Sequence, residues 1–171
     1  TYSFKMAETN LWYEKQKFED KKHGPRDAGG AYSYIFKGLF MVGKIPLSFP
    51  TPIWILAKNH PQVHPKSRVM EGWEKVRVDN KDFRMVYDIY AENKELAEQI
   101  MREDIMETIL KTKENVVDKN MRLELSFQQD TVYLSISTTK ELFEPPIKTS
   151  VTDINDFIVN FKYLANITSL L

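Results

Sequence analysis

The chain has 171 residues, three histidines and no cysteine, and its 24 lysines and arginines balance its 24 aspartates and glutamates. This length and a hydrophobic content of 42% predict one domain with a sizeable core and exclude a wholly disordered chain. The absence of cysteine excludes disulfides, thiol catalysis and thiolate metal sites, and the zero net charge argues against a generic nucleic-acid binder.

The N-terminal half of the chain has the residue pattern of strands. Apolar and polar residues alternate around Phe4, and residues 31–42 are rich in aromatic and branched side chains. We therefore expect a long hairpin whose tip is the polar segment 15–30. Five prolines between residues 43 and 73 exclude a regular helix there, and residues 53–56 are predicted as a short strand between turns. Residues 73–78 and 84–90 predict two further strands, separated by a turn at residues 79–82.

Helical periodicity appears in the second half of the chain. Apolar residues recur at spacings of three and four between Leu96 and Leu110, which, with Asn93 as N-cap, predicts a mid-chain helix over residues 93–113. The charged run 102–104 interrupts this stripe and leaves two short helices as the alternative. Residues 121–137 predict a hairpin that turns at residues 128–130, and residues 152–170 predict a C-terminal helix. Because strands and helices are segregated, the expected fold class is α+β with a mostly antiparallel sheet.

Five short motifs occur in the order and spacing of a known family. They are Phe36-Lys37-Gly38-Leu39-Phe40-Met41-Val42, Phe83-Arg84-Met85-Val86-Tyr87, the apolar positions of residues 98–110, the paired runs Leu125-Ser126-Phe127 and Val132-Tyr133-Leu134-Ser135-Ile136, and Leu142-Phe143-Glu144-Pro145. Together they resemble the bacterial domain of unknown function 3137 over roughly residues 1–165. Arg102-Glu103 stands where that family often has Thr-Pro, a pair that would end one helix and begin another.

The resemblance implies a membrane-anchored bacterial protein in which hydrophobic helices precede a soluble domain of this kind. It supplies no catalytic residue and no cofactor. The chain begins at Thr1, and residues 45–57 are too short and too rich in proline for a membrane span. We therefore expect residues 1–171 to be a single α+β domain, the soluble, cytoplasmic portion of a longer parent that is associated with the membrane.

The zero net charge hides an uneven distribution. Residues 28–70 contain no acidic residue, whereas residues 71–171 carry a net charge of −6. A candidate basic interaction face consists of the five cations of the acid-free segment, Lys37, Lys44, Lys58, Lys66 and Arg68. Such a face would contact anionic membrane headgroups or an acidic protein partner. The wide spacing of these residues favours the alternative that they are separate solubilising charges.

Catalytic and metal-binding patterns are weak. His60 and His64 have the spacing of two helical metal ligands, but the prolines that follow each of them exclude the helix, and no carboxylate lies nearby in the sequence. Two pairs of carboxylates fit surface charge better than acid–base chemistry, Asp79 with Asp82 and Glu103 with Asp104. We therefore predict no catalytic residue, no metal site and no cofactor.

These patterns favour a non-enzymatic binding or assembly module. Two alternatives from other classes remain open, a hydrolase whose site residues converge from distant segments and a peripheral domain that binds anionic lipid through residues 28–70. The hydrolase would need a deep polar pocket that contains at least two of six residues, His23, His60, His64, Asp79, Asp82 and Asp88. No nucleic-acid partner is expected, and the sequence leaves the oligomeric state open.

Overall fold

Residues 4–14, 32–58, 71–116 and 121–137 are described by the structure, a computed structural model. They form one five-stranded sheet and three short helices. The strands are β1 (Phe4–Glu14), β2 (Tyr32–Ala57), β3 (Glu74–Val76), β4 (Tyr87–Ala91) and β5 (Arg122–Ser137), and the helices are α1 (Lys81–Val86), α2 (Lys94–Ile100) and α3 (Glu103–Val116). The strand order is β1-β2-β4-β3, β5 pairs with β2, and every pairing is antiparallel. The described residues thus agree with the expected α+β class and mostly antiparallel sheet.

The first two strands pair as the sequence predicts. Phe4 lies opposite Gly43 and Glu14 lies opposite Tyr32, with one irregularity beside Leu11. These strands are the two arms of the expected N-terminal hairpin. Its predicted tip, residues 15–30, lies outside the described residues.

β2 continues far beyond the predicted strand and includes residues 53–56. It is 26 residues long, and its pairing with β5 is interrupted twice between Lys44 and Ile53. The interruptions contain three prolines, Pro46, Pro50 and Pro52. Proline is tolerated there because bulged residues do not need to donate a ladder hydrogen bond. The turn predicted before residue 53 is therefore wrong.

Residues 122–137 form one strand, and the predicted hairpin over residues 121–137 is wrong. β5 pairs with β2 from Ser137 opposite Gly38 to Leu125 opposite Ile55. Gln129 has a φ of 53°, and this left-handed residue lies at a bulge where the sequence predicts a turn. Across the bulge, the buried positions change from odd-numbered to even-numbered residues, so both halves of β5 face the core. A turn and a bulge break the alternation of a strand in the same way.

A short helix replaces the turn predicted at residues 79–82. The side chain of Asn80 accepts a hydrogen bond from the Phe83 amide at 2.8 Å and caps α1. Phe83 is buried, and its ring centroid lies 5.0 Å from that of Tyr87. The strand predicted over residues 84–90 is therefore shortened to β4, and the strand predicted over residues 73–78 is shortened to β3.

The mid-chain helix is divided, which corrects the prediction of one helix over residues 93–113 and matches the alternative of two short helices. Asn93 caps α2 as expected, because its side chain accepts a hydrogen bond from the Leu96 amide at 2.9 Å. α2 ends at Ile100, and its C-cap is the buried Met101, whose ψ of 62° is not helical. Arg102 then donates two hydrogen bonds to Asp104, at 3.0 and 3.1 Å, at the start of α3. The break therefore occurs here without Thr-Pro.

The helices and the sheet share one core. Ile55, Ile89 and Leu125 lie side by side on three neighbouring strands and are buried. Buried residues from all three helices belong to the same cluster, among them Phe83, Ala97 and Ile109. No helix among the described residues is long and apolar enough to cross a membrane. The predicted C-terminal helix, residues 152–170, lies outside the described residues.

Candidate functional site

A cleft of about 470 Å³ opens where β2 ends, β4 begins and the chain leaves β3. Four cationic side chains and one carboxylate line it, and we call these five residues the basic cleft: Lys58, Lys75, Arg77, Arg84 and Asp88. Val76 and Ile89 are among the apolar residues that complete the lining. The cleft thus combines a charged rim with an apolar wall.

Strand pairing brings these residues together from distant parts of the sequence. Ala57 lies opposite Tyr87, and the Lys58 amide donates a hydrogen bond to the Val86 carbonyl at 2.9 Å, which fixes the end of β2 beside the start of β4. β3 flanks β4 on the other side, with Val76 opposite Ile89.

Alternation along and beyond β3 gives two cations to the cleft. Val76 and Val78 are buried, whereas Lys75 and Arg77 are exposed, because successive side chains of an extended segment point to opposite sides. The half-buried Arg84 lies in the last turn of α1, where the helix dipole favours a cation. Three separate segments therefore supply the positive charge.

The cations of the cleft outnumber its carboxylates four to one. Lys75 Nζ lies 2.8 Å from Asp88 Oδ1, and this ion pair uses the only acid in the lining of the cleft. Within the described part of the chain, the side chains of Lys58, Arg77 and Arg84 have no ion-pair partner. Cations that share a cleft repel one another and attract an anion.

A buried phenol also lines the cleft. The Tyr87 hydroxyl is buried and has no hydrogen-bond partner among the described residues. Burial, with a smaller contribution from the charge of Glu124, holds the pKa of Tyr87 above its ordinary value. Tyr87 is therefore a neutral phenol at physiological pH.

Apolar side chains flank the charged residues. Met85 lies on α1 directly after Arg84 and is 60% exposed. The ring centroids of Trp54 and Trp73 are 4.3 Å apart. Trp54 lies opposite Tyr90 on β4, and Tyr90 lies opposite Lys75 on β3. The aromatic pair is therefore close in the sheet to the strand that supplies Lys75.

The structure brings one residue of the predicted basic face into this cleft. Lys58 lines it, whereas Lys44 pairs with Asp130 and donates a hydrogen bond to Thr131 at 3.1 Å. Lys37 is seven residues before Lys44 on a regular part of β2, so the two lysines point to opposite faces and lie about 23 Å apart along the strand. The other two members, Lys66 and Arg68, lie outside the described residues, and binding by this face stays a prediction.

The other candidates from the sequence are dispersed. All three histidines lie outside the described residues, and the described residues contain no group of three potential metal ligands. Asp79 and Asp82 are exposed and do not line the cleft. Glu103 accepts a hydrogen bond from the Asn80 side chain at 2.6 Å, and the two hydrogen bonds from Arg102 hold the pKa of Asp104 below its ordinary value. Both carboxylates therefore have hydrogen-bond partners near the starts of α1 and α3.

Comparison with known proteins places the chain in a family. Residues 34–171 match the model of a protein of unknown function, DUF3137. The chain belongs to this family. The DUF3137 match includes the whole basic cleft, whereas β1 precedes it.

No curated protein matches this DUF3137 chain. Among solved structures, it is similar to the mycobacterial trehalose monomycolate transport factor A, with 5% sequence identity and a TM-score of 0.44 over 80% of this chain. The chain spans 62% of the length of that protein.

Three of the four cations of the cleft were not predicted from the sequence. Lys75, Arg77 and Arg84 belong to residues 71–171, whose net charge is negative, and therefore lie outside the acid-free segment. The alternation of Lys75 and Arg77 with two valines is the signal that could have found them, since it places both cations on one side of an extended segment. Arg84 carries no such signal.

Proposed function

We propose that this DUF3137 domain is a binding module that holds an anionic group in the basic cleft. The observation that supports the proposal is the gathering of Lys58, Arg77 and Arg84, without described ion-pair partners, around one carboxylate that is already paired. The planar guanidinium of arginine matches the oxygen geometry of phosphate and carboxylate groups. An anion between these side chains would relieve their mutual repulsion.

Binding fits this cleft better than hydrolysis does. A hydrolytic site needs a group that can accept a proton near neutral pH, together with a positioned nucleophile or water. The carboxylate of Asp88 is held by Lys75, and Tyr87 is a neutral phenol. The hydrolase therefore remains the second candidate, to be supported by turnover of a phosphate or carboxylate ester that Asp88→Asn abolishes.

We also propose that residues 1–171 are a single domain, the soluble, cytoplasmic portion of a membrane-anchored bacterial parent. The resemblance of the five sequence motifs to the DUF3137 family supports this placement. The gene of the parent should then encode hydrophobic helices before this domain. A reporter that is fused to the domain and is active only outside the cytoplasm should give no signal.

Nuclear magnetic resonance titration with inorganic phosphate tests anion binding. At constant ionic strength, the backbone amides of Lys58, Arg77 and Arg84 should shift in a saturable way. The double variant Arg77→Gln/Arg84→Gln should weaken binding about 100-fold or more, because each hydrogen bond to a charged group contributes about 1.5–3 kcal/mol. Lys5→Gln is the matched control, since Lys5 is exposed on β1 and does not line the cleft.

Two outcomes would contradict the proposed function. In one, phosphate shifts the amides of Lys5 and Arg77 equally and without saturation, which is the behaviour of a general ionic effect. In the other, the double variant binds phosphate as tightly as the wild-type protein while remaining folded by circular dichroism.

A further inference from the structure

We propose that the basic cleft and Met85 form one surface that docks on an anionic phospholipid bilayer, with a lipid phosphate as the anion in the cleft. We call these residues together the docking surface. The inference rests on the proposed function, because it names the source of the anion. It adds an apolar contact that binding of a free phosphate does not require.

The charge of the docking surface is complementary to that of an anionic bilayer. The docking surface offers four cations against one carboxylate, and three of those cations have no described carboxylate partner. A bilayer that contains acidic lipids presents a dense array of phosphates and attracts cations that come within a Debye length of it. The surface therefore attracts the bilayer before any individual phosphate enters the cleft.

Met85 gives the docking surface an exposed apolar side chain. It follows Arg84, a residue of the cleft, on α1, and more than half of its side chain is exposed. Lys81 and Asp82 are exposed and lie four and three residues earlier on the same helix, so their charges offset each other beside Met85 and the positive charge of the surface comes from the cleft. An apolar side chain beside cations can enter the boundary between headgroups and acyl chains while the cations contact phosphate.

The distribution of exposed apolar side chains favours a bilayer over an acidic protein. Among the described residues, four large apolar side chains are exposed, and only Met85, on α1, follows a residue of the cleft. The others are Leu11, Trp12 and Phe40, on β1 and the first half of β2. The buried core of a protein interface is a larger apolar patch than one methionine offers, whereas an anionic bilayer attracts each cation near its surface by about 1 kcal/mol.

Vesicle co-sedimentation of the wild-type chain tests the inference. Vesicles of phosphatidylcholine mixed with phosphatidylglycerol should bind the protein, vesicles of pure phosphatidylcholine should not, and high salt should weaken the binding. Arg77→Glu/Arg84→Glu should lower the partition coefficient about 25-fold or more, since each cation near an anionic surface contributes a factor of about 5. Met85→Ser should lower it about 5-fold and leave the phosphate titration unchanged.

Matched controls lie on β1, at the other end of the sheet. Lys5→Glu reverses an exposed cation, and Leu11→Ser removes an apolar side chain that is 50% exposed. Both variants should bind vesicles like the wild-type protein. If Arg84→Glu prevents folding, Arg77→Glu with Lys58→Glu replaces that double variant, because Lys58 is exposed at the end of β2.

The possible outcomes separate this inference from the proposed function. If phosphate binds saturably but phosphatidylglycerol vesicles do not bind, the proposal that the surface docks on a bilayer is wrong. The anion would then come from another source, such as an acidic partner protein. Vesicle binding that Met85→Ser does not weaken, or that Leu11→Ser weakens equally, would overturn the docking surface. If the wild-type chain does not bind phosphate saturably, both the proposed function and this inference are wrong.

Discussion

Glu124 is a half-buried carboxylate on β5, close to the end of β2. The Ala57 amide donates a hydrogen bond to its Oε1 at 3.3 Å. Burial raises its pKa, and the Ala57 hydrogen bond and the charge of Arg122 oppose that shift. The net direction is upward, so the fold favours the neutral form of this side chain.

The pH dependence of stability should therefore change in Glu124→Gln. Because the pKa of Glu124 is higher in the folded state, its contribution to stability is fully present below the unfolded value of about 4.5 and is lost as the pH rises through the folded value. The neutral glutamine keeps an acceptor for the Ala57 amide and has no charge to desolvate. Urea denaturation should show that Glu124→Gln raises the free energy of unfolding more at neutral pH than in acid.

Glu114→Gln provides the comparison for that experiment, since Glu114 is exposed on α3. This variant should show little change at either pH. An equal loss of stability in Glu124→Gln at both pH values would contradict the expectation. It would mean that the hydrogen bond to Ala57, and not the cost of burying charge, dominates at this position.

Gly38 allows β2 and β5 to approach each other closely, because it has no Cβ atom. It pairs with Thr9 on one side and with Ser137 on the other, and its φ is +147°. A Cβ atom at this position would lie 2.0 Å from the Ile136 carbonyl oxygen. Any larger residue must move the backbone of β5.

Gly38→Ala should therefore lower the free energy of unfolding by about 3 kcal/mol. Gly72→Ala is the matched control, because Gly72 also has a positive φ, +82°, but has no atom within 4 Å of the added methyl group. Only backbone strain remains there, so we expect a loss of about 1 kcal/mol. Urea denaturation with an unchanged m value measures both losses. Equal losses in the two variants would contradict a clash with β5.

Local chemistry explains which elements were predicted from the sequence. Asn80 and Asn93 cap helices in the same way, yet only Asn93 was predicted as a cap, because a long apolar stripe follows it, whereas α1 has six residues. The residue pattern of β1 and of the first part of β2 was also sufficient to predict that these segments are paired strands. The bulge at Gln129 was not predictable, since a polar break in alternation is equally typical of a hairpin.

The basic cleft was not predictable for a different reason. Lys58 and Arg84 are 26 positions apart and become neighbours only because β4 pairs with the end of β2. The distribution of charge along the sequence singles out Lys58 as part of the acid-free segment, but it does not indicate the other cations of the cleft. Convergence of this kind depends on strand order, which no local pattern of this chain specifies.

At the scale of the whole molecule, the two oppositely charged parts of the sequence share one sheet. β2 belongs to the acid-free segment, and it pairs with β4 and β5 from the acidic part. Lys44 of β2 thus meets Asp130, and Lys58 joins a cleft that contains Asp88. The described residues of the two parts therefore intermix their charges within one sheet.

β2 also connects the two ends of the sheet, so we expect them to unfold together. Its first half pairs with β1 and β5, and its last residues pair with β4 and β5. Met41 is buried in the first half, and Met41→Ala should lower the free energy of unfolding by about 2–5 kcal/mol.

In a Trp12→Phe background, Trp54 and Trp73 are the remaining tryptophans and report on the part of the sheet near the cleft. Their fluorescence midpoint in urea should fall by the same amount as the midpoint from circular dichroism, because a continuous strand makes the transition cooperative. A fluorescence midpoint that stays at its wild-type value while circular dichroism shows two steps would mean that the bulges in β2 separate the sheet into two independently unfolding parts.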